Sequence, residues 1–95
     1  MQPSYTYILT NSRNGTLYIG VTSNLAKRIW QHKNDLVKGF SSKYQLHMLV
    51  YYEEHSNIVD AIKREKCLKS WRRLWKLKLI DEFNPEWKDL YNDII

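Results

Sequence analysis

Four side chains near the start of the chain are of the types that act on phosphate. Tyr7 and Tyr18 lie in two short strand-like runs. Arg28 follows ten residues after Tyr18, and His32 comes four residues later. A guanidinium is a forked, permanently charged partner for phosphate, and tyrosine and histidine side chains can hold or transfer a proton. Together these groups suit phosphate chemistry better than a plain hydrophobic core.

Helical spacing places Arg28 and His32 on the same helix face as two apolar residues. The helix after the second strand has one face with residues at i, i+3, i+4 and i+7, namely Leu25, Arg28, Ile29 and His32. Since the two apolar residues must point at the sheet, Arg28 and His32 are predicted on or beside the buried face. Taken alone, Arg28 could also extend past the core edge, and His32 could be an ordinary half-buried histidine.

A carboxylate lies in the middle of the apolar stripe of the second helical region. That stripe consists of Ile58, Ala61, Ile62, Glu65, Leu68 and Trp71 or Arg72. A carboxylate seldom occupies a core-facing stripe without a partner. The partner of Glu65 could be a lysine or arginine in a structural ion pair, or a metal ion, and the residues alone leave both open.

The same helical region is strongly basic, with Trp71 and Trp75 between its charges. This pattern is typical of a phosphate-facing surface with aromatic support. The alternative is a solvated helix face whose tryptophans turn towards the core. Both interpretations hold if one face of the helix binds phosphate and another face turns its tryptophans towards the core.

A small set of elements must position these residues. Asn14-Gly15 is a typical hairpin turn between strands predicted at 5–11 and 16–21. The remaining predicted elements are a helix over 23–33 with Ser23 or Asn24 as N-cap, a loop over 38–42, a strand over 46–52, a helical region from Ile58 towards Phe83 with a candidate bend at Arg72-Arg73, and a closing turn or helix over 86–92. The order ββαβαα predicts an α+β fold, with a small, mainly antiparallel three-stranded sheet flanked by helices in a single domain over residues 1–95.

Composition narrows the partner and the compartment. Fifteen basic against ten acidic residues give a formal charge of +5, which favours nucleic acid as a partner. Cys67 is the only cysteine, which excludes an internal disulfide and a thiolate metal cluster. We expect a cytoplasmic protein without a membrane role, because the sequence shows neither a leader-like start nor an apolar run of spanning length.

Five motifs in chain order resemble the GIY-YIG nuclease superfamily, in particular its small stand-alone bacterial members of the URI type. The motifs are Tyr5-Thr6-Tyr7, Tyr18-Ile19-Gly20, Asn24-Leu25-Ala26-Lys27-Arg28 followed by His32, the run 61–71 around Glu65, and Asn84-Pro85-Glu86-Trp87-Lys88-Asp89-Leu90. One motif alone is a weak signal, but five in the right order are specific. Two positions depart from the pattern: Tyr5 replaces the glycine of the first motif, and Val21 stands where some relatives carry a basic residue.

The resemblance implies a divalent-metal-dependent endonuclease that hydrolyses phosphodiester bonds of nucleic acid, with DNA as the first expectation. One Mg²⁺ or Mn²⁺ ion would be held by Glu65, which is compatible with the one or two carboxylates that magnesium usually takes. Arg28 would neutralise the scissile phosphate, and Tyr18 would help to activate the attacking water as general base. Tyr7 and His32 would position that water or share its proton.

The resemblance also implies residues around this centre. Asn84 occupies the position of the family's site asparagine and is predicted to belong to the catalytic set. The predicted nucleic-acid contacts are Lys27, Lys33, Lys63, Lys66, Lys69 and Arg72. Because no DNA-binding domain accompanies the motifs, we expect selectivity to come from the basic surface, a protein partner or a dimer.

Two other functions are compatible with the same residues. A nucleic-acid-binding module without useful cleavage would keep salt-sensitive binding. The joint presence of six site residues favours the nuclease, since a decayed site should have lost at least one; they are Tyr7, Tyr18, Arg28, His32, Glu65 and Asn84. A protein-interaction domain would present Trp71, Trp75 and Trp87 as an exposed apolar patch.

Overall fold

The computed structural model describes residues 2–95, which form three strands and five helices. The strands are β1 (Ser4–Thr10), β2 (Leu17–Thr22) and β3 (Met48–His55). The helices are α1 (Leu25–Lys33), α2 (Phe40–Lys43), α3 (Ile58–Ser70), α4 (Arg73–Phe83) and α5 (Tyr91–Ile94). The predicted α+β class and three-stranded antiparallel sheet are confirmed.

β1 is the central strand of a sheet with the order β2-β1-β3 and pairs antiparallel with both neighbours. Tyr7 lies opposite Gly20 of β2 and Tyr52 of β3. The pairing with β3 shifts register between Ile8 and Leu9. Helices cover both faces of the sheet, so nearly every residue of β1 is buried.

Successive side chains of β1 serve two separate cores, because they point to opposite faces of the sheet. Tyr7 and Leu9 pack with Ile29 of α1 on one face. Ile8 packs with Leu68 of α3 on the other face. Residues of α1 and α3 therefore approach the same central strand from opposite sides.

Asparagine side chains cap the N-termini of α1 and α3. Asn24 accepts a hydrogen bond from the Lys27 amide at 3.2 Å, so the N-cap of α1 is Asn24 and not Ser23. Asn57 accepts from the Asp60 amide at 2.9 Å at the start of α3.

The region between α1 and β3 differs from the prediction. The segment 38–42 was expected to be a loop, but α2 begins at Phe40, after Gly39 adopts a φ of 118° that only glycine accepts readily. β3 begins at Met48 and not at residue 46, because the Leu46 amide bonds the Ser41 carbonyl at 2.9 Å and not a strand. The buried Leu46 side chain thereby holds α2 against the core.

The long helical region divides where a bend was predicted. Trp71 and Arg72 are extended, with ψ of 152° and 149°, and separate α3 from α4. The predicted apolar stripe of α3 was too broad: Ile58 and Ile62 are 42% and 38% exposed, whereas Ala61 is fully buried. Only the narrow side of α3 that touches the sheet is covered.

Candidate active site

Three buried polar side chains form a hydrogen-bonded chain between β1, α1 and α2. The Tyr7 hydroxyl lies 2.9 Å from His32 Nε2, and the Ser41 hydroxyl lies 3.0 Å from His32 Nδ1. Each of the three residues is no more than 3% exposed. Both ring nitrogens of His32 are engaged, so the orientation of the imidazole is fixed. We call Tyr7, His32 and Ser41 the buried polar chain.

Burial keeps Tyr7 and His32, the titratable residues of the buried polar chain, uncharged at neutral pH. Burial is the largest cause that raises the pKa of Tyr7 well above its usual range; Tyr18 adds to the rise and the Arg28 charge opposes it. Burial, followed by the Arg28 charge, lowers the pKa of His32 to about 4. The buried polar chain therefore links the Tyr7 phenol to the neutral His32 imidazole, which has one nitrogen that donates a hydrogen bond and one that accepts.

Gly20 permits the close approach of the two strands' site residues. A Cβ atom at this position would lie 2.5 Å from both Cζ and the hydroxyl oxygen of Tyr7, and 3.0 Å from Cε2 of Tyr18. Any side chain here would push Tyr7 away from His32. The glycine in the second motif is thus required by packing against the first motif's tyrosine.

Tyr18 lies beside the buried polar chain but is less enclosed. Its ring centroid is 6.3 Å from that of Tyr7 and 5.5 Å from that of His32. It is half-buried, whereas Tyr7 is 2% exposed. Tyr18 is therefore the tyrosine of the pair that a bound phosphate or water can reach.

Arg28 lies one helical turn before His32, is half-buried, and acts electrostatically on both Tyr7 and His32. It lines a polar depression with Lys27 and Gln31 at the start of α1. The sequence prediction that Arg28 lies beside the buried stripe is confirmed.

Glu65 lies on α3 and acts electrostatically on Tyr7. Its carboxylate contributes to the rise in the Tyr7 pKa, after the larger effects of burial, Tyr18 and Arg28. The side chain is 20% exposed and pairs with Lys69 one turn later at 3.2 Å. Of the two partners that the sequence left open, the structure shows the ion pair.

The ion pair with Lys69 does not exclude a metal ion at Glu65. Its contact to Lys69 uses Oε2, and Lys69 is itself more than half exposed and can move aside. Residues 2–95 contain no group of three histidine, cysteine or acidic side chains placed to share a metal. A single partly exposed carboxylate fits magnesium, which keeps several waters and takes further oxygens from substrate phosphate.

Asn84 lies apart from the buried polar chain, at the end of α4. Its side-chain amide donates to the Val50 carbonyl of β3 at 3.2 Å and to the Lys88 carbonyl at 2.8 Å, and its oxygen accepts from the Lys88 amide at 3.2 Å. The residue is 4% exposed. The structure does not bring Asn84 into the buried polar chain; it fastens the residues after α4 to the edge strand β3.

The six residues predicted to contact nucleic acid differ in whether another group of the protein contacts their side chains. Lys27, Lys63 and Lys66 are exposed. Lys33 instead donates to the His47 carbonyl at 2.8 Å and pairs with Asp89. Lys69 pairs with Glu65, as described above, and Arg72 lies over the Trp75 ring at 5.6 Å.

The predicted tryptophan patch does not form as expected. Trp87 is 2% exposed and donates to Asp81, and Trp71 is half-buried beneath the Arg64 guanidinium. Of the three tryptophans in that prediction, Trp75 alone is largely open, at 53%.

Sequence reasoning missed Ser41. The residue lies in a segment predicted as a loop, and a serine in a polar, glycine-containing run carries no periodic signal. Nothing in the spacing from His32 indicates that it returns to the ring.

The fold and this site define a small α+β protein with paired tyrosines, a histidine, an arginine and a glutamate around one strand pair. The chain belongs to the GIY-YIG family: the model of the GIY-YIG catalytic domain matches residues 3–78. Membership implies nuclease activity. The matched range includes Tyr7, Tyr18, Arg28 and Glu65, but ends before Asn84.

Small bacterial proteins of one group are similar over most of their length. The UPF0213 protein of Staphylococcus saprophyticus is 35% identical over 86% of this chain and 99% of its own. That of Clostridium perfringens is 38% identical over 81% of this chain and 82% of its own, and that of Desulfotalea psychrophila is 30% identical over 95% and 83%. No solved structure gives a significant match. Among residues 2–95, no helix has the length and apolarity needed to cross a bilayer.

Proposed function

We propose that this protein is a divalent-metal-dependent endonuclease that hydrolyses phosphodiester bonds, with DNA as its substrate. The observation that carries the proposal is the pairing of Tyr7 with neutral His32 beside the more open Tyr18, with Arg28 and Glu65 acting on the same phenol. This combination offers a phosphate-binding cation, a metal-binding carboxylate and hydroxyl groups for water within one site.

Arg28 is the group that binds the scissile phosphate. Its forked donors match two phosphate oxygens, and its charge meets the negative charge that grows as the phosphorus centre is attacked. The depression that Arg28 shares with Lys27 gives a phosphate access from solvent.

Tyr18 is the group nearest to an incoming water and acts as the general base. A phenol ordinarily has a pKa of about 10, so it needs cationic neighbours to give up its proton near neutral pH. Arg28 is one such neighbour, and a metal ion held by Glu65 would be the other. Tyr7 and His32, which are buried and neutral, would position that water or share its proton.

Glu65 would hold the single Mg²⁺ or Mn²⁺ ion. When bound, such an ion stabilises the charge on the phosphate and on the departing oxygen. The single carboxylate predicts weak metal binding in the absence of nucleic acid. The resemblance also implies a catalytic role for Asn84, but its three contacts, all to backbone groups, favour a structural role, and Asn84→Ala distinguishes the two.

DNA as substrate and the cytoplasm as location are proposals from charge and composition. The +5 charge favours a polyanion, and Lys63 and Lys66 leave positive charge open on α3. Selectivity would come from this basic surface, from a protein partner or from a second copy of the chain.

The deciding experiment is cleavage of labelled duplex, single-stranded, flap and junction DNAs, with RNA counterparts, in Mg²⁺, in Mn²⁺ and in chelator. Wild type is compared with Glu65→Gln, which keeps size and a hydrogen-bond acceptor but removes the metal-binding charge. We expect Glu65→Gln to lower the rate by about a hundredfold or more.

Two controls separate metal binding from structure. Glu82→Gln makes the same charge change at an exposed position of α4 and should cut like wild type. Lys69→Met removes the ion pair but keeps the carboxylate, so metal-dependent cleavage should persist, with only the severalfold loss of affinity expected for one fewer phosphate contact. Salt-sensitive DNA binding without cleavage on any substrate would replace the nuclease with a binding module.

A further inference from the structure

α2 is held in place so that one of its residues faces α1. The Ser41 carbonyl accepts from the Leu46 amide at 2.9 Å, and the Leu46 side chain is fully buried. The Ser41 side chain is 3% exposed, while its neighbour Phe40 is 48% exposed. Ser41 is therefore the inward residue of this short helix, and its hydroxyl is directed at His32.

The hydroxyl of Ser41 is matched to both tautomers of a neutral imidazole. In one arrangement Tyr7 donates to Nε2, and Nδ1–H donates to the Ser41 oxygen. In the other, Ser41 donates to Nδ1, and Nε2–H donates to the Tyr7 oxygen, which frees the Tyr7 proton for another acceptor. Serine can accept or donate, so neither arrangement leaves a ring nitrogen unpaired.

This freedom matters at a buried site. A ring nitrogen without a partner costs free energy when water cannot reach it. An apolar residue at position 41 would leave Nδ1 without its partner, and the ring would lose the contact that aims Nε2 at Tyr7. A backbone carbonyl in place of Ser41 would accept only, and would allow one tautomer alone.

We propose that Ser41 is a positioning residue of the nuclease site: its hydroxyl aims His32 at Tyr7 and lets the Tyr7–His32 hydrogen bond reverse direction. Ser41 touches neither phosphate nor water in this scheme and acts through His32. The inference rests on the proposed function for its catalytic consequence, but the coupling of Ser41 to His32 stands independently of cleavage.

The test compares Ser41→Ala, Ser41→Thr and Ser42→Ala. Ser41→Ala should lower kcat about tenfold, the usual effect of one lost positioning hydrogen bond, and leave KM within about twofold. Ser41→Thr keeps the hydroxyl and should recover kcat to within about threefold of wild type. Ser42→Ala, in the same helix, should cleave like wild type.

The second readout is the imidazole ¹⁵N spectrum of the free protein, with the His32 signals assigned by comparison with His32→Asn. Ser41→Ala should move the Nδ1 signal of His32, and Ser41→Thr should leave it near the wild-type position. If Ser41→Ala does not fold, Ser41→Cys supplies a side chain of similar size with a much weaker hydrogen bond, and the same changes are expected.

The outcomes separate the two proposals. Wild-type kcat and an unmoved Nδ1 signal in folded Ser41→Ala would overturn the positioning role. A loss of activity that Ser41→Thr does not restore would also overturn it, since the hydroxyl would then not be the cause. If wild type cuts no substrate, the nuclease fails, while a moved Nδ1 signal in Ser41→Ala would still establish the link from Ser41 to His32.

Discussion

Two of the places where polar side chains are buried against the sheet differ in the partners of those side chains. In the buried polar chain, side chains bond to side chains: Tyr7 to His32, and His32 to Ser41. In the segment after α4, which we call the closing segment (residues 84–90), the buried Asn84 side chain bonds only to backbone groups. Asn84 bonds to Val50 and Lys88, and Asp89 accepts from the Leu49 amide at 3.2 Å.

This difference separates groups available for chemistry from groups committed to structure. Titratable side chains joined to one another can exchange a proton or change direction of donation without breaking the fold. An amide that joins three backbone groups has no such freedom, since each bond satisfies a main-chain atom that would otherwise be buried unpaired. Changes at the buried polar chain should alter rates, and changes in the closing segment should alter stability.

The largest expected effect is that of Arg28→Lys, which keeps the charge and removes the fork. We expect kcat/KM for cleavage to fall by about 100- to 1,000-fold, because one ammonium cannot reach two phosphate oxygens at once. Lys27→Ala, at the adjacent exposed position, should change kcat/KM by less than about fivefold. Cleavage by Arg28→Lys at the wild-type rate would remove Arg28 from phosphate binding.

The second prediction concerns stability against pH at His32. Its pKa is about 4 in the folded protein against an ordinary value of 6.5, so between these values the unfolded chain binds a proton that the folded chain does not. The free energy of unfolding should therefore fall as the pH drops from 6.5 to 4, by about 3 kcal/mol from this group. Above pH 6.5 this contribution is fully present.

Urea unfolding at pH 7 and pH 4.5 measures this effect. His32→Asn cannot titrate, so its loss of stability between the two pH values should be smaller than that of wild type. Equal losses in the two proteins would mean that His32 is not held neutral by its surroundings.

The third prediction is that Asn84→Ala acts on stability and not on rate. Removing the amide leaves the Val50 and Lys88 backbone groups without their partner, which should cost about 2 kcal/mol of unfolding free energy. Activity per folded molecule, measured well below the unfolding temperature, should stay within about threefold of wild type. A loss of a hundredfold in a folded Asn84→Ala would instead establish the catalytic role that the family resemblance implies.

Sequence patterns predicted the regular parts of this molecule because those parts follow local rules. The β1–β2 hairpin, the i, i+3, i+4, i+7 face of α1 and the bend before Arg73 each depend on a few neighbouring residues. The hairpin connection is longer than the predicted Asn14-Gly15 turn: it spans residues 11–16, and the Gly15 amide bonds the Ser12 carbonyl at 2.9 Å. Arg28, His32 and Glu65 were selected as candidates because charged or titratable residues on an apolar stripe stand out. These residues also lie on regular helices, where spacing alone fixes the direction of a side chain.

The remaining features depend on tertiary contacts that no local rule contains. Ser41 reaches His32 only because Leu46 anchors α2, and Lys33 is occupied because the closing segment places Asp89 beside it. Trp87 is likewise buried by its place in the core around Ile8, whereas the alternative of a protein-interaction domain placed this residue at the surface. In each case the deciding partner is distant in sequence.

The smallest expected effects are on DNA binding and distinguish two of the lysines predicted to contact nucleic acid, Lys33 and Lys66. Lys33 bonds to the His47 carbonyl and Asp89, whereas Lys66 is exposed on α3. Each phosphate contact contributes about 0.9 to the slope of log affinity against log salt on duplex DNA. Lys66→Ala should therefore lower the slope by about one such contact and weaken binding severalfold at low salt, whereas Lys33→Met should leave the slope unchanged and lower the unfolding temperature by a few degrees. If Lys33→Met lowers the slope as much as Lys66→Ala does, then Lys33 leaves Asp89 to meet the DNA, and the closing segment takes part in substrate binding after all.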